Sequence, residues 1–127
     1  MGNPQIILLV TSRLDQLASF EKALRSDPDV ELITIGTAEE AIDAAVRLVP
    51  VMAVVDQQVP GTTALEIVQR LLSVNAFIHP ALLTDMDEAL FHERSEGLGV
   101  LAGLPLRPDE KDAAGLLAKL REMAPLG

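Results

Sequence analysis

Cysteine is absent from these 127 residues, and so are tryptophan and tyrosine. Without cysteine there is no disulfide, no redox pair and no thiolate metal site. Three phenylalanines are the only aromatic residues, so the core must be built from Leu, Val, Ile and Ala. The two histidines, His79 and His92, lie too far apart for a local metal motif, and both read as solvated surface residues. Basic residues are also scarce: 10 against 19 acids, for a net charge of −9. No basic stripe is present to neutralise phosphates, which argues against direct nucleic-acid binding. No apolar run exceeds the length of a strand, so neither a signal peptide nor a membrane span is expected. The start "MGNPQI" offers Gly2 but no hydroxyl at position 6, which a myristoylation signal needs. A soluble, cytoplasmic protein is the expectation.

What is present is apolar and ordered by period. Hydrophobic residues make up 49% of the chain, too many for a disordered segment, and the length suits one domain over residues 1–127. Short apolar runs alternate with amphipathic segments, as in βαβ units around a parallel sheet. The runs are "IILLV" (6–10), "VELITI" (30–35), "VMAVV" (51–55), "ALLT" (81–84, entered through Pro80) and "VLAG" (100–103). Between them, Leu14, Leu17, Phe20 and Leu24 fall at helical spacing, with Ser12 a candidate N-cap. Thr37 and Glu40 form a capping-box pattern ahead of a stripe of Ala38, Ala41, Ile42, Ala45 and Val46. Ala64, Ile67, Val68, Leu71 and Leu72 follow the i, i+3, i+4, i+7, i+8 pattern. Segment 87–97 is a weakly patterned helix. Asp109 caps a last helix marked by Ala113, Leu116, Leu117 and Leu120. Five strands and five helices then predict a flavodoxin-like, doubly wound five-stranded parallel sheet. In such sheets the working edge lies at the carboxyl ends of the strands. Thr11, Ser12, Asp56 and Thr84 end the first, third and fourth strands and are expected to converge there.

Four stretches in this order, "IILLVTSR", "VVDQQVPG", "PALLTD" and "GLPLRP", resemble the landmarks of the receiver (CheY-like) domain of bacterial two-component response regulators. The resemblance covers nearly the whole chain. It implies that Asp56 is the phosphoacceptor position, that Pro60 and Gly61 form the following turn, and that Thr84 is the hydroxyl that reads the phosphoryl group. It also implies that Pro105 follows strand five through a cis peptide bond. The departures are as informative. Where the family has an acidic pair that holds Mg²⁺, this chain has Thr11 and Ser12. The family's lysine position is Leu104, its aromatic switch position is Leu101, and a glycine of the strand-three loop is Ala64.

Phosphoryl transfer needs positive charge beside the transferring group, and Mg²⁺ prefers carboxylates among its oxygen ligands. Here one carboxylate remains, no metal site is expected, and Leu104 brings no ammonium. Asp85 adds a negative charge at the mouth of the site. Arg13 is the nearby base by sequence and a candidate substitute cation for Asp56. The chain therefore reads as an atypical, pseudo-receiver module that is not an enzyme and binds no Mg²⁺ or other cofactor. Its expected partner is another protein, or a second copy, at the face of helix four, strand five and helix five around Leu98, Leu101, Leu104 and Leu106. One alternative is a phosphorelay in which a histidine kinase still phosphorylates Asp56. Another is a small-ligand binder on a flavodoxin-like fold, although no Gly-rich phosphate loop follows the first strand. For Asp56 the plainer reading is an acid that caps its loop or forms a local salt bridge. No output domain is expected within these residues.

Overall fold

The computed structural model describes residues 4–123; Gly2 and the "APLG" terminus lie outside them. Strands β1 (Gln5–Val10), β2 (Val30–Ile35), β3 (Met52–Asp56), β4 (His79–Leu83) and β5 (Ala102–Leu104) alternate with helices α1 (Ala18–Arg25), α2 (Ala38–Leu48), α3 (Ala64–Val74), α4 (Glu88–Ser95) and α5 (Glu110–Met123). All strand pairs are parallel, in the order β2-β1-β3-β4-β5. The order switches direction beside β1 and β3, whose carboxyl ends carry Thr11 and Asp56. This is the flavodoxin-like architecture expected from the alternation of the sequence.

The central strands are covered on both faces, so their residues alternate between two cores. Leu8, Val10, Ala53, Val55 and Leu82 face α2 and α3. Ile7, Leu9, Met52, Val54 and Leu83 face α1 and α5, where Phe20, Leu24, Leu116 and Leu120 are buried. Arg121 near the end of α5 donates to Asp27 at 2.5 Å and ties that helix to the turn before β2. This hydrogen bond holds the Asp27 carboxyl below its ordinary pKa.

Several local expectations need correction. The stripe on α2 is rotated: Ala38, Ala41, Ala44 and Ala45 are buried, while Val46 is exposed, because the small face lies flat against the sheet and α3. β4 begins at His79 rather than after Pro80. The His79 N–H donates to Val51 on the β3 side, so the N–H that Pro80 lacks would face the other side. The ladder with β5 starts only at Ala81–Ala102, and the proline therefore costs no strand bond. His79 is accordingly half-buried rather than fully solvated, whereas His92 is exposed. Ser12 does not cap the first helix. A 3₁₀ turn, Leu14–Leu17, precedes α1 without a side-chain cap, and Ser12 bonds across to the β3 loop instead. The Leu104–Pro105 bond is trans, like every other peptide bond among the described residues. Trans is the lower-energy isomer for X–Pro by about 0.5–1 kcal/mol unless packing enforces the other. The Asp109 cap is present as a reciprocal box: Asp112 N–H donates to Asp109 at 3.0 Å, and Asp109 N–H to Asp112 at 2.9 Å.

Val49, which caps α2, has φ +48°, a left-handed conformation that is costly for a β-branched residue. It is 64% exposed, so no packing compensates. Val49→Gly removes roughly 1–2 kcal/mol of steric strain against roughly 0.5–1 kcal/mol of added chain entropy. A net gain of about 0.5–1 kcal/mol is expected, read as a higher urea midpoint at unchanged slope.

Candidate functional site

The carboxyl ends of β1 and β3 lie side by side, with Val10 in register with Val55. The next residue on each strand, Thr11 and Asp56, is buried at this edge, and Asp56 is 0% exposed. A carboxylate in that position must be paired and hydrogen-bonded. Asp56 Oδ2 accepts from Thr11 Oγ1 and from Arg13 Nε, each at 2.7 Å. Its Oδ1 accepts from Arg13 Nη2 and from the Gln58 backbone N–H, each at 3.1 Å. The Arg13–Asp56 pair is thus bidentate, the geometry in which a planar guanidinium matches a carboxylate best. Two oxygens offer about four acceptor positions, and four donors of this chain fill them.

The loop after β1 is folded to deliver that arginine. Arg13 N–H donates to Thr11 Oγ1 at 3.1 Å, turning the chain back over the strand end. The Ser12 hydroxyl donates to the Gln58 carbonyl at 2.9 Å, stitching the β1 and β3 loops together. Arg13 Nη2 also reaches the Leu106 carbonyl at 2.5 Å, so the same guanidinium holds the segment after β5. With its side chain 9% exposed, Arg13 is a buried cation seated where three loops meet.

Thr84 is not drawn to Asp56. Its hydroxyl donates to Gln57 Oε1 at 2.6 Å, and the Asp85 N–H donates to the same oxygen at 3.1 Å. Gln57 Nε2 donates back to Asp85 Oδ1 at 2.9 Å. Pro60 and Gly61 lie exposed in the loop from β3 to α3, where Gly61 takes φ +80°. Leu104 ends β5, and its carbonyl accepts from the Thr84 N–H at 2.8 Å. Thr11, Ser12, Arg13 and Asp56 are therefore assembled into one network, while Thr84 and Leu104 belong to an adjoining one.

A Mg²⁺ ion does not suit these residues. It would meet a single carboxylate whose acceptor positions are taken, with a guanidinium nitrogen 2.7 Å from one oxygen. Among the described residues no group of three or more His, Cys, Asp or Glu is placed to hold a metal.

A groove of about 590 Å³ lies beside β5. Its walls include Asp85, Met86, Glu88 and Phe91 from the α4 side and Lys119 from α5, with Leu101 and Leu104 between them. Leu98, Leu101, Leu104 and Leu106 are all half-buried. Phe91 seats α4 on the strand: a Cβ added at Gly103 would stand 2.9 Å from the Phe91 ring.

Gln57, Gln58, Phe91 and the Leu106 carbonyl escaped the sequence reading. Gln57 had one available signal, a long polar side chain directly after the strand-ending acid. The Gln58 N–H and the Leu106 carbonyl had none, because backbone groups are contributed regardless of residue type.

No family model matches the chain, and no curated protein matches it. Solved structures do. A CheY-like response regulator receiver domain protein from Methanospirillum hungatei JF-1 aligns with TM-score 0.81 at 18% identity, over 94% of this chain and 96% of that one. The chemotaxis response regulator CheY4 of Vibrio cholerae aligns with TM-score 0.79 at 18% identity, over 93% and 99%. The response regulator domain of Thermotoga maritima CheB aligns with TM-score 0.78 at 15% identity, over 98% and 99%. The fold is that of CheY-like receiver domains, and at these identities the likeness is one of fold. No helix among the described residues is long and apolar enough to cross a membrane.

Proposed function

We propose that this chain is a cytoplasmic pseudo-receiver of two-component signalling, a protein-interaction module that works without phosphorylation at Asp56 and without Mg²⁺. The observation that carries this reading is the saturation of Asp56. Both oxygens are occupied by Thr11, Arg13 and the Gln58 N–H. A carboxylate attacks phosphorus through a free lone pair, and charge developing on the transferred group needs a cation that is not already committed. Arg13 is committed twice, to Asp56 and to Leu106. It stands in for the cations of an active receiver while leaving no place for the phosphoryl group. The partner, another protein or a second copy of the chain, is assigned to the groove of α4, β5 and α5, which half-buried Leu101 and Leu104 line, while Leu98 and Leu106 of the expected patch lie outside its lining.

The test is amide NMR of the labelled protein during addition of Mg²⁺ and then beryllium fluoride, a phosphoryl mimic. The peaks of Thr11, Arg13, Asp56 and Thr84 are expected to stay in place at millimolar concentrations. Saturable movement of those peaks together would overturn the reading and return Asp56 to the role of phosphoacceptor for a histidine kinase.

A further inference from the structure

We infer that Gln57 is an internal latch: its side-chain amide serves as the ligand of the β4–α4 loop and fixes the α4 wall of the groove without any external group. The docking role of that groove rests on the function proposed above; the latch itself does not.

Two donors of the loop, the Thr84 hydroxyl and the Asp85 N–H, converge on one oxygen, Gln57 Oε1, at 2.6 and 3.1 Å. Convergent donors on a single oxygen are how a protein holds a ligand oxygen, and here the ligand is its own side chain. The amide nitrogen returns a bond to Asp85 Oδ1 at 2.9 Å and closes a ring. Thr84 Oγ1 meanwhile accepts from the Met86 N–H at 3.1 Å, extending the tie by one residue. One glutamine thus organises Thr84, Asp85 and Met86, and the following residue, Asp87, caps α4 by accepting from the Leu90 N–H.

The latch is mounted on a rigid base. The Gln57 backbone N–H donates to the Leu83 carbonyl at 2.9 Å, so its side chain projects from the end of the β3–β4 ladder. Thr84 is buried at 8% exposure, which keeps competing water from the shortest bond of the ring. The helix that the loop leads into has little hold of its own. Ser95 is its one buried residue, and Phe91 its main apolar contact with the sheet. With so little burial to position it, α4 takes its place at the N-terminal end from the loop. Asp85 and Met86, which line the groove, belong to the latched segment, and Glu88, which also lines it, lies two residues beyond.

The experiment is amide hydrogen exchange on the whole chain, with no partner and no phosphoryl mimic present. Its outcome is therefore independent of the Asp56 chemistry. Gln57→Leu keeps the bulk of the side chain and removes both polar ends. Exchange at Asp85, Met86 and the amides of α4 is expected to speed up about tenfold or more, since the three hydrogen bonds of the Gln57 amide are lost. Exchange at Val54 and Leu82 in the sheet should not change. A second pair of variants guards against a general loss of fold. Gln57→Glu retains the accepting oxygen but faces the Asp85 carboxylate, and should loosen the loop. Adding Asp85→Asn restores a donor to that carboxylate and should recover most of the protection. Unchanged exchange in the loop of Gln57→Leu, or no recovery in the double variant, would overturn the latch.

Discussion

Arg13→Ala is expected to destabilise the fold by about 3–5 kcal/mol, the cost of leaving one member of a buried ion pair without its partner. The magnitude follows from burial. Asp56 is fully enclosed and the Arg13 side chain nearly so, whereas exposed pairs such as Arg47–Asp43 are worth about 0–1 kcal/mol. Removing the guanidinium leaves Thr11 and the Gln58 N–H as the donors on a charge that cannot reach water. It also frees the Leu106 carbonyl, so the segment after β5 loses its tie to the sheet edge. Asp56→Ala alone strands the cation and should cost a similar amount. Replacing both partners by apolar residues, Arg13→Met with Asp56→Leu, removes both desolvation penalties and should cost far less than the two single changes summed. Urea unfolding of the wild type, Arg13→Met, Asp56→Leu and the double change measures the coupling. A cost below about 1 kcal/mol for Arg13→Ala would place the pair among exposed ones and remove the basis for treating Arg13 as the site's resident cation.

Phe20→Ala is the second large effect, about 3–5 kcal/mol, the range for truncating an aromatic side chain in a tight core. Phe20 is 0% exposed and sits between α1 and the sheet, in the core that also holds Leu9, Leu116 and Leu120. Phe77, which is 88% exposed, supplies the contrast, and its truncation should change stability by no more than about 0.5 kcal/mol. In thermal unfolding the first change should lower the midpoint by roughly 10–20 °C and the second by a degree or two. Equal effects would mean that Phe20 is not buried between α1 and the sheet as described. Since α1 follows the loop that carries Arg13, a loss of helix seating should also be felt at the site.

Much of the candidate site was legible before the fold was known, and each part had a local cause. Asp56 stood out because five apolar residues lead into a charge, and a charge ending a buried strand must be met by donors. Arg13 stood out as the nearby base. Thr84, read as the end of its strand, follows β4 by one residue, and Leu104, which lies past the run read as the fifth strand, ends β5; the donors and acceptors they meet were not foreseeable. A hydroxyl at a strand end can turn to any acceptor within reach, and here it donates to Gln57 rather than Asp56.

The chain by itself determined its strand and helix order, because burial on two faces demands continuous apolar runs and amphipathic helices demand a 3.6-residue period. The "IILLV" run of β1 and the α3 stripe could be read directly for that reason. It also determined that Thr11, Ser12 and Leu104 bring no charge to this edge, since residue identity alone decides that. Tertiary structure decided how the remaining groups are satisfied. Ser12 left its expected cap for a carbonyl 46 positions away, and Arg13 bridged Asp56 to a carbonyl 93 positions away. Hydrogen bonding at such separations depends on which loops the sheet order brings together. The backbone groups that complete it carry no trace in residue type.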